Sequence, residues 1–406
     1  MNMTSTPTDT RRLLAPEHRG HEGPVHALPR LSLGELLALV EDTGLTGRGG
    51  AGFPTAIKVR AVAEARPAPA VVGNAMEGEP LSHKDAVLLT RAPQLVVDGL
   101  AIVGRALGAK RVVLAVGPEI GTQAVRAAAH RRRRDGRIEI AHLRGGFVAG
   151  QETALLNQLE GKQAVPRDPL VRVTTRGLDG RPTLVLNAET LAQVALAARN
   201  GVAWFRSAGT AEDPGTSLFT ISGAVTRPGV LEAARGTRLR DVLASTGPVD
   251  PVAVLVGGYH GAWLPAAAFD TRLTNAALRP YGASVGAGIL HVLGSDRCPL
   301  GVAAEIAGYL AGESAGQCGP CINGLPRMAD SLRRLAEHGA GRPADHLADP
   351  RLPAEIDRLR RLVVGRGACA HPDGTARMVA STMDVFSEHV AAHLAGWCPT
   401  DGRGRR

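Results

Sequence analysis

The chain has 406 residues, 44% hydrophobic and 21% charged, with a formal net charge of +9 at pH 7. That length exceeds one ordinary hydrophobic core, so we expect two or three domains. No apolar run is long enough to cross a bilayer, so no transmembrane segment is expected. The positive charge favours encounters with an acidic partner. The 3% aromatic content and the lack of a known nucleic-acid-binding pattern argue against a nucleic-acid partner.

The cysteines favour redox or metal chemistry. Residues 1–30 contain no apolar segment of the signal-peptide type, so a cytoplasmic protein is expected, whether free or peripheral to the inner face of the membrane. In that reducing compartment, a C-x-x-C pair indicates a metal or redox site rather than a disulfide. The five cysteines are Cys298, Cys318, Cys321, Cys369 and Cys398.

The first half of the chain predicts an α/β domain. Residues 1–30 are polar and aperiodic, which predicts disorder, and order begins at Ser32, where a capping box with Glu35 precedes a helix. Alternating strands and helices then predict a largely parallel sheet of the Rossmann-like type over residues 31–215. The glycine-bearing loops are expected at one rim of this sheet, where such sheets bind ligands. Strands are predicted at 70–73, 111–116, 137–143 and 183–186, and helices at 93–107, 152–159 and 189–199.

A glycine-rich loop lies near the start of this domain. Residues 47–58 read GRGGAGFPTAIK, with four glycines in the first six positions. Glycine permits positive φ and close approach of the backbone to a ligand. Successive N–H groups in such a loop converge on anions such as phosphates. Alone, this loop predicts only a nucleotide or phosphate site.

Two further units are predicted after residue 215. Short strands, one helix and glycine turns over residues 216–297 predict a small β-grasp-like module. Helical spacing at 301–310, 324–336, 353–363 and 375–394 predicts a helical bundle over residues 298–396, followed by a basic tail at 397–406.

Four motifs occur in fixed order: GRGGAGFPT at 47–55, N-A-x-E-G-E-P at 74–80, G-x-E-T-A-L-L-N at 150–157 and PT-x-x-x-N-x-E-T at 182–190. Together they resemble the NADH-binding flavoprotein subunit of respiratory complex I, the F subunit of NADH-quinone oxidoreductase, whose family includes subunits of NAD-linked hydrogenases and formate dehydrogenases. The resemblance covers nearly the whole chain after about residue 31. It implies an FMN domain, a soluble-ligand-binding β-grasp (SLBB) domain and an iron–sulfur helical bundle.

The resemblance also implies a set of cofactor-binding residues. In the family, FMN lies along the glycine loop and two acidic loops, NADH gives it a hydride, and electrons leave singly through a 4Fe–4S cluster. The protein positions the cofactor and tunes its electrostatics, so no general acid or base is predicted. The positions implied to bind cofactor are Gly47, Arg48, Gly49, Gly50, Ala51, Gly52, Phe53, Lys58, Asn74, Glu77, Gly78, Glu79, Gln151, Glu152 and Asn187.

Several positions depart from the family pattern. Met76 replaces an aspartate that bonds the flavin, Gln151 replaces the first of two glutamates, and Phe147 replaces a tyrosine. The segment 169–173 lacks the lysine and the aromatic residue that help to hold NADH. Because two carboxylates near the flavin have become neutral, a higher reduction potential is expected for bound FMN.

The cysteine pattern is also incomplete. The family has C-x-x-C-x-x-C and a distant fourth cysteine, whereas here Ala315 occupies the first position and Cys318, Cys321 and Cys369 match the rest. The three thiolates could hold a 4Fe–4S or 3Fe–4S cluster, a zinc ion together with a histidine, or nothing. Cys298 and Cys398 are expected to be structural or surface thiols rather than ligands. Candidates for a fourth cluster ligand are Ser314, Glu313, Cys298 and Cys398, and the candidate zinc histidine is His371.

The leading functional prediction is an electron-transfer flavoprotein subunit that oxidises NAD(P)H, or takes electrons from a partner. It would pass them to a ferredoxin-like carrier or a membrane reductase, within a hetero-oligomer. The alternative is a degenerate homologue that serves as a scaffold or binding subunit. A third hypothesis, a ferredoxin:NAD oxidoreductase subunit, requires two ferredoxin-type cysteine runs, which five cysteines cannot supply.

Overall fold

The computed structural model describes residues 11–18, 27–168, 170–339 and 349–401. The first unit contains a four-stranded sheet in the order β3–β2–β1–β4, with all strands parallel. The predicted α/β architecture is therefore confirmed. The order reverses at β1, which has β2 on one side and β4 on the other, and this reversal creates a crevice at the carboxyl ends of the strands. The strands are β1 (Ala70–Ala75), β2 (Arg111–Val116), β3 (Glu139–His142) and β4 (Thr183–Asn187).

Helices surround this sheet. The predicted capping box is present, because the Ser32 side chain accepts from the Glu35 amide while the Glu35 carboxylate accepts from the Ser32 amide. Two helices, α4 and α7, are buried along most of their length and form the centre of the core with the sheet. The helices are α1 (Leu33–Asp42), α2 (Thr55–Ala63), α3 (Lys84–Arg91), α4 (Pro93–Ala106), α5 (Thr122–Arg131), α6 (Glu152–Leu159) and α7 (Ala188–Arg206).

The N-terminal segment corrects one prediction. Disorder was expected for residues 1–30, but residues 11–18 pack against the folded chain, and residues 1–10 and 19–26 lie outside the described part. Leu13 is fully buried. The backbone amides of Arg12, Leu13 and Leu14 donate to the Glu232 carboxylate at 2.8–3.0 Å. The Arg12 guanidinium also lies 4.1 Å from the centre of the Trp204 ring. A distant buried carboxylate therefore orders a segment that is aperiodic in sequence.

The second unit is a mixed five-stranded sheet in the order β6–β5–β9–β7–β8. Its central pair, β5 and β9, is parallel, and the other neighbours are antiparallel. One face covers its own apolar core with α8, and the other contributes to the core beneath the C-terminal helices. The elements are β5 (Thr216–Gly223), β6 (Gly229–Ala234), α8 (Leu239–Ala244), β7 (Pro251–Val256), β8 (Ala262–Pro265), α9 (Asn275–Leu278) and β9 (Ile289–Gly294).

Five α-helices form the described C-terminal part, residues 299–339 and 349–401. The helix predicted over 375–394 is two helices, because the chain breaks at Phe386, which has non-helical dihedrals. A short π-helical segment at Pro320–Gly324 carries Cys321 and leads directly into α11. The helices are α10 (Pro299–Gly312), α11 (Leu325–Gly339), α12 (Leu352–Val363), α13 (His371–Val385) and α14 (Ser387–Leu394).

Within the described residues, no helix is by itself long and apolar enough to span a membrane. Helices α3 and α4 reach that length and composition only as a pair, and they are bent by 92° relative to each other.

Candidate functional site

A large cleft lies at the reversal point of the parallel sheet. Its volume is about 860 Å³, within the size range of small-molecule and cofactor sites. Asn74 at the end of β1 and Asn187 at the end of β4 are directly paired in the sheet register. The Asn187 amide donates to the Asn74 carbonyl at 3.3 Å, and the Asn74 amide donates to the Gly150 carbonyl at 2.9 Å. The two asparagines thus fix three loops around the floor of the cleft.

The glycine loop forms one wall. It is closed at its base, because the Gly47 amide donates to the Phe53 carbonyl at 2.8 Å and Thr46 bridges to Pro54. Gly52 has φ +60°, and a Cβ at this position would lie 2.8 Å from the Asn275 side chain. The backbone here therefore follows a path closed to larger residues.

Among the described residues, helices α2, α3, α6, α7 and α13 begin at this cleft, and their N-termini differ in side-chain capping. Site side chains already accept from the first-turn amides of α3, α6 and α7: Glu77 for α3, Gln151 for α6 and Asn187 for α7. Helix α2 follows the glycine loop, and Pro54 gives it no side-chain cap. Helix α13 also has no side-chain cap from Ala370, but it starts at the cysteine edge of the cleft. The positive end of α2 is therefore the uncapped terminus beside the glycine loop, and it suits an anionic group there.

A buried charge network supports the cleft floor. Lys84 is 2% exposed and contacts Asp85 at 2.8 Å and Glu189 at 3.1 Å. Burial opposes the charged form, but these carboxylates raise the pKa of Lys84 above its usual value. Its ammonium also donates to Asn187 at 3.1 Å, and Asn187 donates to Asp85 at 2.8 Å. This network was not predicted from the sequence.

Glu77 and Glu79, in the loop at residues 74–80, have different environments. Glu77 accepts from the Ser82 hydroxyl and from the Asp85 and Ala86 amides, so its carboxylate is satisfied by the start of α3. The Glu79 carboxyl accepts from the Tyr259 amide, which lies 3.1 Å from Oε2, and the Leu81 amide also interacts with it. Its Oε1 is buried without a hydrogen-bond partner in the described chain. Burial raises the pKa of Glu79 to about 8, so this carboxyl is mostly protonated at neutral pH.

The loop at residues 150–157 supplies Glu152 to an ion pair and one neutral substitution, Gln151, whereas the other neutral substitution, Met76, lies in the loop at residues 74–80. Lys58 contacts Glu152 at 2.9 Å, with both side chains about one-third exposed at the cleft. The Gln151 oxygen accepts from the amides of Thr153 and Ala154, so it caps α6. Met76 is 8% exposed and packs in the apolar cluster beneath the loop.

Most of the predicted site residues come together in this cleft. Arg48 is the exception: it does not line the cleft, and its guanidinium donates to Thr46 and to the Pro214 carbonyl while its amide donates to Thr190. Arg48 thus anchors the loop from behind. The predicted residues that line the cleft are Gly47, Gly49, Gly50, Ala51, Gly52, Phe53, Lys58, Asn74, Glu77, Gly78, Glu79, Gln151, Glu152 and Asn187.

A histidine pair at the cleft was not foreseen. The ring nitrogens of His260 Nε2 and His371 Nδ1 lie 3.1 Å apart, and His371 Nε2 lies 2.8 Å from the Leu310 carbonyl oxygen. Because a carbonyl only accepts, His371 donates through Nε2, and its Nδ1 accepts from His260. Burial lowers the pKa of His371 and, with His371 and Arg377 nearby, lowers that of His260 to about 3. Both rings are therefore neutral. Phe147 packs edge-on against His260, with 4.6 Å between the centres of the two rings.

The candidate cluster cysteines lie beside this pair. Cys369 lines the cleft. The Ala368 amide contacts Cys318 Sγ at 3.4 Å, which connects the two cysteine-bearing segments. Burial, followed by the neighbouring Cys369 and Cys318, raises the pKa of Cys321 to about 11. The C-x-x-C pair and the distant cysteine therefore meet at one edge of the cleft.

The geometry argues against the zinc alternative at these cysteines. Both ring nitrogens of His371 are engaged, by His260 and by Leu310. Sulfurs around one tetrahedral zinc lie about 3.8 Å apart. Among the described residues, the ligand atoms of these three cysteines and His371 do not all lie within 4.8 Å of one another. An iron–sulfur cluster binds its thiolates on different irons, so wider spacing fits it.

The proposed fourth ligands are placed as follows. The Glu313 carboxylate accepts from the Phe147 amide at 2.8 Å, and the Ser314 hydroxyl accepts from the Gly316 amide at 3.3 Å. Cys298 and Cys398 group with a different histidine, away from Cys318. A fourth cluster ligand therefore stays a prediction.

The residues present fit FMN. The cleft combines a glycine wall that a Cβ would obstruct, an uncapped helix N-terminus and the unpaired Oε1 of Glu79. Bound FMN would accept two electrons as a hydride and release them one at a time. The backbone amides of the glycine loop and α2 would hold its phosphate, and Asn74 and Glu79 would face its polar edges.

Fold and cleft together define a nucleotide-binding α/β protein with a cysteine centre at its cleft, and comparison with known proteins gives the same class. Residues 40–196 match the family model for the Nuo51 FMN-binding domain. Residues 301–393 match the model for the NADH-ubiquinone oxidoreductase-F iron-sulfur binding region.

The chain belongs to the family of NADH-quinone oxidoreductase F subunits. It is 32% identical to the F 2 subunit of the NADH-quinone oxidoreductase of Rhizobium meliloti over 92% of both chains. It is 31% identical to the NADP-reducing hydrogenase subunit HndC of Solidesulfovibrio fructosivorans, covering 93% of this chain and 79% of that protein. A chain of an air-oxidised NAD+-reducing NiFe hydrogenase superimposes with a TM-score of 0.81 at 33% identity. The match covers 89% of this chain and 63% of the hydrogenase chain.

Proposed function

We propose that the chain is an FMN- and iron–sulfur-containing electron-transfer subunit that oxidises NAD(P)H, or accepts electrons from a partner protein. One observation carries this proposal: the glycine loop and Cys369 line the same cleft. A two-electron site and a one-electron centre would therefore be adjacent, with no intervening domain for electrons to cross.

The cleft also offers a surface for a second aromatic ring. Phe53, at the end of the glycine loop, lines the cleft and is 45% exposed. An exposed aromatic side chain at a cleft mouth can stack on a nicotinamide or adenine ring. By contrast, the segment 169–173 lacks the residues that help to hold NADH in the family. Its Leu170 and Val171 are 88% and 52% exposed. We therefore infer that nucleotide contacts come from the glycine loop rather than from that segment.

The outgoing electron path and the partner follow from charge and position. Cys318 is part-exposed and Cys321 is buried, which puts the proposed cluster near the surface of the helical part. The chain carries 47 lysines and arginines against 38 aspartates and glutamates. A positive field accelerates association with an acidic carrier. A ferredoxin-like carrier or a reductase subunit within a hetero-oligomer is therefore the proposed acceptor.

We also propose a division into an FMN domain at 31–215, a β-grasp domain at 216–297 and an iron–sulfur bundle at 298–396. The second sheet supports this, because its order β6–β5–β9–β7–β8, with a parallel central pair and one helix between β6 and β7, has β-grasp topology. Three of the apolar clusters follow roughly the same division, although the helical bundle shares its cluster with the second sheet.

The test is the absorption spectrum and cofactor content of the chain purified without oxygen. Flavin bands with a broad iron–sulfur shoulder, and release of FMN on denaturation, are the expected results. NADH or NADPH should then bleach the flavin bands if a nicotinamide is the donor, whereas only a reduced carrier protein should do so if the chain is fed by a partner. A colourless protein without FMN and iron contradicts the proposal.

A scaffold function is the second candidate, and the substituted positions favour it. Met76 packs in an apolar cluster and the Gln151 oxygen caps α6, so neither side chain is available to bond a flavin as an acid would. If the spectrum shows neither cofactor while the chain still binds a partner protein, this candidate replaces the first.

A further inference from the structure

A second group of metal-ligating side chains lies outside the cleft. Cys298, His393 and Cys398 each place one ligand atom within 4.8 Å of the others. Cys298 Sγ lies 3.5 Å from His393 Nε2. No other set of three or more His, Cys, Asp or Glu has this spacing in the described part of the chain. His393 is fully buried and Cys398 is 3% exposed.

This group is separate from the proposed cluster. Cys298 occupies the position just before the first residue of α10, whereas Cys318 follows the C-terminus of this helix. At 1.5 Å per residue, the 14 residues of α10 span about 21 Å. Similarly, Cys321 precedes α11, and the His393 ring contacts the Leu335 carbonyl near the far end of that helix. The two cysteine groups thus lie at opposite ends of the packed helices α10 and α11.

The spacing suits a single tetrahedral ion. With zinc–sulfur bonds of about 2.3 Å and zinc–nitrogen bonds of about 2.0 Å, a tetrahedral centre separates its sulfur and nitrogen ligands by about 3.5 Å. The distance between Cys298 Sγ and His393 Nε2 is 3.5 Å. The Cys298 and His393 ligand atoms are therefore already at the separation that an ion would impose, and Cys398 Sγ lies within 4.8 Å of both of them.

The histidine is also oriented as a ligand. His393 Nδ1 lies 3.1 Å from the Leu335 carbonyl, which can only accept, so Nδ1 carries the proton and Nε2 turns its lone pair toward Cys298. Metal-binding histidines are oriented by the same kind of second hydrogen bond. Gly339 packs against the ring, where a Cβ would lie 2.3 Å from ring atoms, so the ring position leaves no room for a larger residue.

The chain is turned so that the third ligand reaches this point. Helix α14 ends at Leu394, and Gly396 adopts φ +85°. The Gly396 amide donates to the His393 carbonyl at 3.0 Å, and the Trp397 amide donates to the Ala392 carbonyl at 3.1 Å. This helix-ending turn folds the chain back and delivers Cys398 beside His393.

We propose that Cys298, His393 and Cys398 bind one zinc-class divalent ion. The ion would fasten the segment after α14 to the start of α10 and the end of α11. This reverses the expectation from the sequence that the two cysteines are structural or surface thiols without a ligand role. Three protein ligands leave the fourth tetrahedral position to water or to an exogenous ligand. A disulfide between the two cysteines would leave the orientation of His393 Nε2 unexplained.

The test measures zinc and iron in the full-length chain purified without oxygen. The wild type should hold about one zinc per chain. His393→Gln and Cys398→Ser should each lose this zinc and keep their flavin and iron, whereas the matched control Cys318→Ser should lose iron and keep zinc. Because the two metals are measured separately, failure of the proposed electron-transfer function leaves the zinc result readable.

A cobalt spectrum gives a second readout that does not depend on folding of the zinc-site variants. Cobalt exchanged into Cys318→Ser should show thiolate-to-cobalt charge-transfer absorption together with tetrahedral bands. The proposal is overturned if the wild type binds neither zinc nor cobalt, if both zinc-site variants keep their zinc, or if alkylation and mass spectrometry find Cys298 and Cys398 joined as a disulfide.

Discussion

Glu79→Gln should stabilise the cofactor-free chain at alkaline pH and leave it unchanged at acidic pH. Glu79 has a buried Oε1 without a partner, and burial raises its pKa from 4.5 to about 8. Below pH 4.5 the carboxyl is protonated in the folded and unfolded states, so it has no effect on stability. Between these values the unfolded chain releases the proton while the folded chain keeps it, so stability falls as pH rises.

The interval between 4.5 and about 8 sets the magnitude. At about 1.4 kcal/mol for each pH decade, the wild type loses about 5 kcal/mol across it, and the neutral glutamine avoids this loss. The assay is urea unfolding of the wild type and Glu79→Gln between about pH 5 and pH 9. The exposed residue Glu212 supplies the control variant Glu212→Gln, which should follow the wild type at every pH. A stability difference between Glu79→Gln and the wild type that does not change with pH would refute the reasoning.

Three further changes test other parts of the cleft and fold. Lys84→Met leaves the carboxylates of Asp85 and Glu189 buried without their cation, so the free energy of unfolding should fall by about 3–5 kcal/mol in chemical unfolding. A decrease below about 1 kcal/mol would contradict the importance of this buried network. Met76→Asp adds negative charge beside the proposed flavin and should lower its potential in a redox titration relative to Met76→Asn; equal potentials would contradict this. Leu13→Ala should lower the free energy of unfolding by about 2–5 kcal/mol and speed proteolysis of the N-terminal segment. An unchanged rate of proteolysis would show that the packing of Leu13 does not hold this segment in place.

The sequence was sufficient for features that depend on neighbouring residues. Strand β2 and helix α6 were predicted with the bounds that the structure has, since short apolar runs and helical periodicity are local signals. The gathering of the glycine loop with the 74–80 and 150–157 loops could also be predicted, because parallel strands place their carboxyl ends at one edge.

Features that depend on distant partners could not be predicted. Lys84 and Asp85 look like surface residues in sequence, and only Glu189, about a hundred residues later, makes their burial possible. The same holds for His260 and His371, which are 111 residues apart and meet only when the second sheet packs against α13. Two histidines at such a separation carry no spacing signal, so no periodicity or motif could have identified the pair.

The effect of the neutral residues Met76 and Gln151 on the charge of the cleft depends on how the remaining acids of the cleft are paired. Glu77 is satisfied by the start of α3, Asp85 by Lys84, and Glu152 by Lys58. Glu79 is the cleft carboxyl with an unpartnered buried oxygen among the described residues.

Met76 and Gln151 add no negative charge, and burial raises the pKa of Glu79 to about 8, so the ionisation of Glu79 is an adjustable charge beside the proposed flavin. When Glu79 is protonated, its carboxyl can donate a hydrogen bond to an anionic cofactor. When it loses its proton above about pH 8, it repels the same cofactor. Anionic nucleotides should therefore bind more weakly to the wild type above that pH. Equilibrium titration should show that Glu79→Gln removes this pH dependence, and an unchanged pH dependence in the variant would assign it to another group.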